Sequence, residues 1–259
     1  MELDIYQIDA FADNVFEGNP AAVVPLDDWL PDDQLQAIAA ENNLAETAYF
    51  VPTQDGYHLR WFTPSVEVPL CGHATLATSF VLYSELGYDQ DTITFETKSG
   101  SLIVTREGDG LVMDFPASPP TPCEIPDGLA EALGVTLLEA HENSFCLVVC
   151  DNEDDVKNAT PDLAALKTIA PGDFILTARS KDYDFVSRCF APSHGIDEDP
   201  VTGSAHCVSA PFWAERLGKT KLHARQVSKR GGNILCTVTK DRVQLFGRAK
   251  LYLKGKICL

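Results

Sequence analysis

The chain has 259 residues, which suits one large domain or two lobes of ordinary size. Its 45% hydrophobic and 22% charged residues exclude a disordered protein, and its net charge of −18 argues against nucleic acids and anionic membranes as partners. The start, M-E-L-D-I-Y, is no secretory signal, and no apolar run approaches the roughly 20 residues of a membrane span. We therefore expect a cytoplasmic protein.

The first half reads mostly as β-structure, because short alternating or apolar segments are bounded by Gly, Asp or Pro. A helix is predicted over Pro31–Asn42, and a second, apolar on all sides, over His73–Leu86, with Gly87 as its cap. The predicted strands are Leu3–Ile8, Ala21–Val24, Thr47–Val51, His58–Phe62, Thr92–Thr97, Ser101–Arg106 and Leu111–Asp114.

The second half repeats the first. R-W-F-T-P at Arg60–Pro64 recurs as R-C-F-A-P at Arg188–Pro192. The segment Leu70–Gly87 aligns with Val201–Gly218, which brings Gly72 onto Gly203 and Leu-Gly onto Leu-Gly. The shared order of these features indicates a duplicated unit.

We therefore predict an α+β fold of two similar, pseudo-symmetric lobes, each a mostly antiparallel sheet or barrel around a central helix. The N-terminal lobe would comprise residues 1–116 and the C-terminal lobe residues 117–259, with the last strand able to cross back to the first lobe. Ligands commonly bind in the cleft between such lobes, so we expect the site there.

Positive charge is concentrated in residues 219–259, which hold 11 Lys and Arg and a single acid, Asp241. Two explanations stay open: basic strands beside acidic neighbours, or a field that attracts a small anion.

Gly72 and Gly203 each open a predicted helix. Backbone N–H groups and a partial positive charge accumulate at a helix start, which favours a bound anion, and glycine lets a ligand approach the backbone closely. These two turns are expected to hold a carboxylate and to stabilise an enolate-like intermediate.

Glu46 begins an apolar strand, where an acid in an apolar pocket could exchange protons near neutral pH; an exposed edge-strand acid is the alternative. His73 lies in the first turn of its helix, where the dipole favours a neutral imidazole that hydrogen-bonds a substrate; the alternative is a buried structural histidine. Asp199 and Ser204 flank the second helix start and could contact a ligand, cap the helix, or both.

Cys71 invites three other interpretations. As a hydrolase nucleophile it is poorly placed relative to His73, and as a zinc ligand it lacks partners at a recognisable spacing. A two-thiol racemase would need a cysteine in the matching turn, but the alignment places Thr202 there. The eight scattered cysteines, with no C-x-x-C pair, are expected to be free thiols.

The chain resembles the PhzF family of phenazine biosynthesis-like isomerases, whose fold is similar to that of diaminopimelate epimerase. The resemblance runs through nearly the whole chain in six separated motifs. They are D-A-F, F-E-G-N-P-A-A-V, A-E-N-N-L-A-E-T, R-W-F-T-P-S-V-E-V-P-L-C-G-H-A-T, D-P-V-T-G-S-A-H and S-K-R-G-G.

This resemblance implies a homodimeric isomerase that uses no cofactor and no metal. It implies general acid–base proton transfer on a small carboxylate-bearing substrate. The family's glutamate proton shuttle falls on Glu46, and its other active-site positions fall on His73, Asp199 and Ser204. Substrate binding is expected from Asn19, Gly72, Gly203, Gly231 and Gly232. The alternatives are an amino-acid racemase or epimerase and a catalytically silent small-anion binding protein on the same scaffold.

Overall fold

The computed structural model describes all 259 residues, which form two compact units. The first unit comprises residues 1–114 and 246–259, and the second comprises residues 115–245. The predicted α+β class, with many strands and few helices, is confirmed. No helix combines the length and the apolar character that crossing a membrane would require.

The first unit is built from nine strands and two helices. The helices are α1 (Asp32–Asn42) and α2 (Gly72–Ser84). The strands are β1 (Glu2–Ala10), β2 (Asn19–Pro25), β3 (Glu46–Pro52), β4 (Tyr57–Phe62), β5 (Glu67–Val68), β6 (Thr92–Thr97), β7 (Gly100–Glu107), β8 (Gly110–Pro116, which runs into the second unit) and β18 (Ala249–Cys258).

Helix α2 is the buried centre of the first unit. Nine of its 13 residues are buried, as its all-round apolar sequence predicts, and it packs against β1, β2 and β3. It also connects β4 to β6, which pair in parallel and therefore need such a crossover.

The second unit has nine strands, four α-helices and a short 3-10 turn. Its strands are β9 (Thr121–Cys123), β10 (Leu137–Glu142), β11 (Cys146–Cys150), β12 (Phe174–Arg179), β13 (Phe185–Ala191), β14 (Ile196–Asp199), β15 (Lys221–Gln226), β16 (Gly232–Val238) and β17 (Arg242–Gly247, which runs into the first unit). Its helices are α3 (Leu129–Leu133), α4 (Glu153–Asn158), α5 (Leu163–Leu166) and α6 (Gly203–Leu217), and the 3-10 turn is Pro192–His194.

Strand pairing follows one order in both units. In the first, β2–β3 is parallel, β3–β4 antiparallel, β4–β6 parallel and β6–β7 antiparallel. In the second, β11–β12, β12–β13, β13–β15 and β15–β16 repeat that sequence of directions, and α6 takes the place of α2. The predicted internal repeat is therefore present as a repeated topology.

Each central helix is preceded by one arginine–glutamate ion pair, and the two ion pairs have the same geometry. Arg60 forms two parallel hydrogen bonds with Glu67, and Arg188 does the same with Glu198. Each guanidinium also lies over the phenylalanine two residues on, at 5.1 Å and 4.9 Å from the ring centre. In both turns the glutamate precedes the first glycine of the helix by five residues.

Several cations of the basic segment are paired with acids inside the units. Lys219 bonds Asp184, Arg248 bonds Asp13 and Asp109, and Lys254 bonds Glu85. This favours the explanation of basic strands beside acidic neighbours.

Gly18, in the F-E-G-N-P motif, has a left-handed backbone with φ of +66°, and a Cβ there would lie 2.1 Å from the Ala10 carbonyl oxygen. Gly87 has a similar φ of +73° but open space around it. We expect Gly87→Ala to lower the free energy of unfolding by about 1–2 kcal/mol, because alanine disfavours the left-handed backbone. Gly18→Ala should lower it by this amount and by about 1–3 kcal/mol more, because the Ala10 backbone also has to move.

Urea unfolding of both variants measures this difference. Equal losses of unfolding free energy in the two variants would contradict the close approach at Gly18.

Candidate acid–base site

A carboxylate and an imidazole meet in the interior of the first unit. Glu46 opens β3, and His73 is the second residue of α2. Both side chains are buried, and Glu46 Oε2 lies 3.0 Å from His73 Nε2. The N–H direction is not aligned for a regular hydrogen bond, and neither atom has another hydrogen-bond partner. Glu46 Oε2 and His73 Nε2 are thus two buried polar atoms that could form hydrogen bonds with a bound molecule, and such atoms are unusual outside functional sites.

Two groups face the other nitrogen of the same ring. The Asn19 amide Nδ2 lies 3.2 Å from His73 Nδ1, and Cys71 Sγ lies 3.5 Å from it. An amide nitrogen can only donate, so Nδ1 accepts and the proton of neutral His73 lies on Nε2, facing Glu46. Protonation of Nδ1 would require the Asn19 amide to turn its oxygen toward the ring. In either charge state Nε2 carries a proton, so the close contact with Glu46 places an N–H group against a carboxylate oxygen.

Opposing effects act on the pKa of His73. Burial of the ring lowers it, but the neighbouring Cys71 and Glu46 outweigh burial and raise the pKa well above its usual value. Burial, together with the Glu46 charge, raises the pKa of the Cys71 thiol to about 11, so this thiol is uncharged near neutral pH. The Glu46 carboxylate is therefore the charge that favours the imidazolium. The expectation of a neutral imidazole, based on the helix dipole alone, omitted this neighbour.

Glu46, Cys71 and His73 could in principle hold a metal ion, since their ligand atoms lie within 4.8 Å of one another. However, Cys71 approaches Nδ1 and Glu46 approaches Nε2, which point away from each other across the ring. A histidine presents one nitrogen to one ion, so a single ion could not use all three groups without rearrangement. The geometry suits proton transfer better, and the expectation of a metal-free site stays a prediction.

The start of α2 carries no side-chain cap. Cys71 is its N-cap residue and makes no capping hydrogen bond, and Gly72 follows as the first helical residue. The partial positive charge of this helix start is therefore not offset by a capping side chain.

The second unit brings together a different set of predicted residues. Asp199 ends β14, and Gly203 and Ser204 open α6, with Ser204 exposed. The possibility that Asp199 or Ser204 caps the helix is not realised, because Thr202 is the N-cap residue and α6 also lacks a side-chain cap bond.

Gly231 and Gly232 adjoin this turn. Gly231 has φ of +67° and donates its N–H to Ser228 Oγ, and the Ser228 hydroxyl donates to the Pro200 carbonyl. The S-K-R-G-G motif is thus bonded to the D-P-V-T-G motif. Whether Asn19 and the four glycines at 72, 203, 231 and 232 contact substrate stays a prediction.

Sequence reasoning missed Thr202 and Gln226. Gln226 is fully buried and makes three hydrogen bonds to residues 199–202. A signal was present: Leu222 and Ala224 are also buried, so Gln226 occupies a core-facing position of an alternating strand. A glutamine there requires internal partners.

Comparison with known proteins shows a match between residues 8–255 and the model of the phenazine biosynthesis-like protein family. An uncharacterized isomerase of Pseudomonas aeruginosa is 54% identical over 259 residues, covering all of both chains. The crystal structure of a PhzF family protein from Enterococcus faecalis is 45% identical with a TM-score of 0.98, again covering all of both chains. A predicted epimerase from Pseudomonas aeruginosa, 20% identical with a TM-score of 0.76 over 99% of both chains, shares the fold.

We expect Glu46→Gln to lower the pKa of His73, because removal of the carboxylate leaves burial, which disfavours the imidazolium. Histidine NMR titration measures this shift. His206 is an internal control: burial lowers its pKa to about 4, and it should titrate unchanged. An unchanged His73 titration would contradict the inferred effect of Glu46.

The same pair links stability to pH. A folded-state pKa above the unfolded value of about 6.5 means that protonated His73 stabilises the fold. This contribution is fully present below about pH 6.5 and is lost as the pH rises through the folded-state pKa of His73. Unfolding free energies measured across this range should fall with pH in the natural protein, and less steeply in Glu46→Gln.

Proposed function

This chain belongs to the phenazine biosynthesis-like family of isomerases, and from that premise we propose that it moves a proton between two carbons of a small carboxylate-bearing substrate by general acid–base catalysis. The observation that carries the proposal is the buried contact between Glu46 Oε2 and His73 Nε2, both without other partners. An acid–base pair of this kind suits proton transfer and involves no change of oxidation state.

The first step is the removal of a proton from a substrate carbon by the Glu46 carboxylate. The C–H electron pair shifts into the substrate's conjugated system, and negative charge develops on an oxygen. The His73 Nε2–H can hydrogen-bond that oxygen, and the uncapped start of α2 at Gly72 adds a favourable partial charge. Glu46 then returns the proton to a different carbon, so atoms and electrons balance without a cofactor.

A racemase using two thiols is less well supported. Cys71 is a protonated thiol near neutrality, and the matching residue in the second unit is Thr202 rather than a cysteine. A silent anion binder would have no need for a carboxylate in its interior, where burial is costly. The predicted substrate contacts of Asp199 and Ser204, the homodimer and the cytoplasmic location remain predictions of the family resemblance.

We expect Glu46→Gln to abolish exchange of a substrate C–H with solvent deuterium while the protein stays folded. The natural protein is incubated in deuterium oxide with a panel of amino acids and hydroxylated or unsaturated carboxylic acids, and exchange is followed by proton NMR. Loss of a general base typically costs about 10²–10⁴-fold in rate. Glu153→Gln is the matched control, since Glu153 is another largely buried glutamate, bonded to Ser180 and Lys157.

Exchange at the natural rate in Glu46→Gln would overturn the assignment of Glu46. Binding of panel members without any exchange by the natural protein would favour the silent binder instead.

A further inference from the structure

A buried glutamine orders the turn that carries Asp199. Gln226 Nε2 donates to the Asp199 carbonyl at 2.6 Å and to Thr202 Oγ1 at 3.1 Å, and its Oε1 accepts from the Thr202 N–H at 2.9 Å. The amide thus bonds to both ends of the turn from Asp199 to Thr202. Its orientation is fixed because the Asp199 carbonyl requires the NH2 group and the Thr202 N–H requires the oxygen.

These bonds determine where the Thr202 hydroxyl hydrogen points. Because Oγ1 accepts from Gln226, its own hydrogen is directed to another acceptor, and Asp199 Oδ2 lies 2.6 Å away. A short hydrogen bond from a hydroxyl to a carboxylate is charge-assisted and stronger than a neutral one. The carboxylate of Asp199 is therefore held in one orientation.

The Thr202 hydroxyl, engaged by Gln226 and Asp199, does not form an ordinary helix cap. A threonine at the N-cap usually accepts a hydrogen bond from the second or third helical N–H, but the Thr202 oxygen makes no such bond. A missing cap commonly costs about 1 kcal/mol, so this arrangement sacrifices stability where a binding site is expected.

We propose that Gln226 is a positioning residue of this isomerase: it holds Thr202 so that the Thr202 hydroxyl orients the Asp199 carboxylate and leaves the start of helix α6 uncapped. The inference rests on the proposed substrate contact of Asp199. It assigns a function to a residue that would otherwise count only as buried polar core.

The local surroundings of Asp199 allow a clean measurement. The nearby Cys189 thiol has its pKa raised far above neutrality, chiefly by burial, so it adds no charge. Glu198 is already bonded twice to Arg188. The interaction at the carboxylate that the substitutions below vary is the hydrogen bond from the Thr202 hydroxyl.

The first test is a carbon-13 NMR titration of the Asp199 carboxyl group, identified by its loss in Asp199→Asn. Thr202→Val should raise the Asp199 pKa by about one unit or more, because a hydrogen bond to the charged form is removed. Thr202→Ser keeps the hydroxyl and should restore the natural value. Gln226→Met should raise the pKa less, and the double variant should not exceed Thr202→Val, because Gln226 acts through Thr202.

Thr177→Val is the matched control. Thr177 is a buried threonine of the same unit whose hydroxyl donates to Val186 and accepts from Trp213. The Thr177→Val variant should be less stable than the natural protein but should leave the pKa of Asp199 unchanged. An unchanged Asp199 pKa in Thr202→Val, or additive effects of the two substitutions, would overturn the proposal. If Thr202→Val fails to fold, the Asp199 pKa is compared in the other two variants. It should rise in Gln226→Met and keep its natural value in Thr202→Ser, and an unchanged pKa in Gln226→Met would overturn the proposal.

The second test separates this inference from the proposed function. On a substrate identified by deuterium exchange, Thr202→Val and Gln226→Met should raise KM about tenfold, the equivalent of about 1.4 kcal/mol, with little change in kcat. A shifted titration with an unchanged KM would support the positioning of Asp199 and refute its contact with substrate. An unshifted titration refutes the positioning whatever the activity.

Discussion

Two part-buried guanidinium–carboxylate pairs lie just before the turns that carry the functional side chains. Arg60 and Arg188 are each only 12% exposed, and each grips its glutamate with two nitrogens while stacking on a phenylalanine. In the first pair each partner has a second ionic contact, Arg60 with Asp32 and Glu67 with Lys98, so the pair belongs to a small part-buried network. Because the glutamates lie just before the glycine turns, the position of each central helix start depends on this interaction.

The duplicated scaffold carries different chemistry in its two units. Pairing of Thr47 with Phe62, and of Phe174 with Phe190, makes Asp173 the counterpart of Glu46. Asp173, however, bonds His194, whose side chain is 65% exposed. Duplication supplied two equivalent turns, and only the first combines a buried acid with a buried base, whereas the second acquired the ordered carboxylate of Asp199.

The sequence predicted the fold well where periodicity and repetition carried the information. The central helix of the first unit is predicted over His73–Leu86 and observed over Gly72–Ser84. Its burial could be predicted because a helix that is apolar on all sides is stable only when surrounded by protein. The acid–base pair was anticipated from residue types, but the proton position on His73 depends on Asn19, which lies far from it in the sequence. The alternation of its strand could place Gln226 in the core, but its hydrogen-bond partners lie 24 residues or more away and could not be read from the sequence.

The assignment of residues 246–259 to the first unit has a consequence for how the molecule is made. Strand β18 pairs with β1 along nearly its whole length, from Glu2 opposite Cys258 to Ala10 opposite Ala249. A ribosome produces β1 first and β18 only after the entire second unit. We therefore expect the unit translated second to finish folding first, while the earlier one waits with an unpaired strand edge, the condition in which nascent chains most need a chaperone.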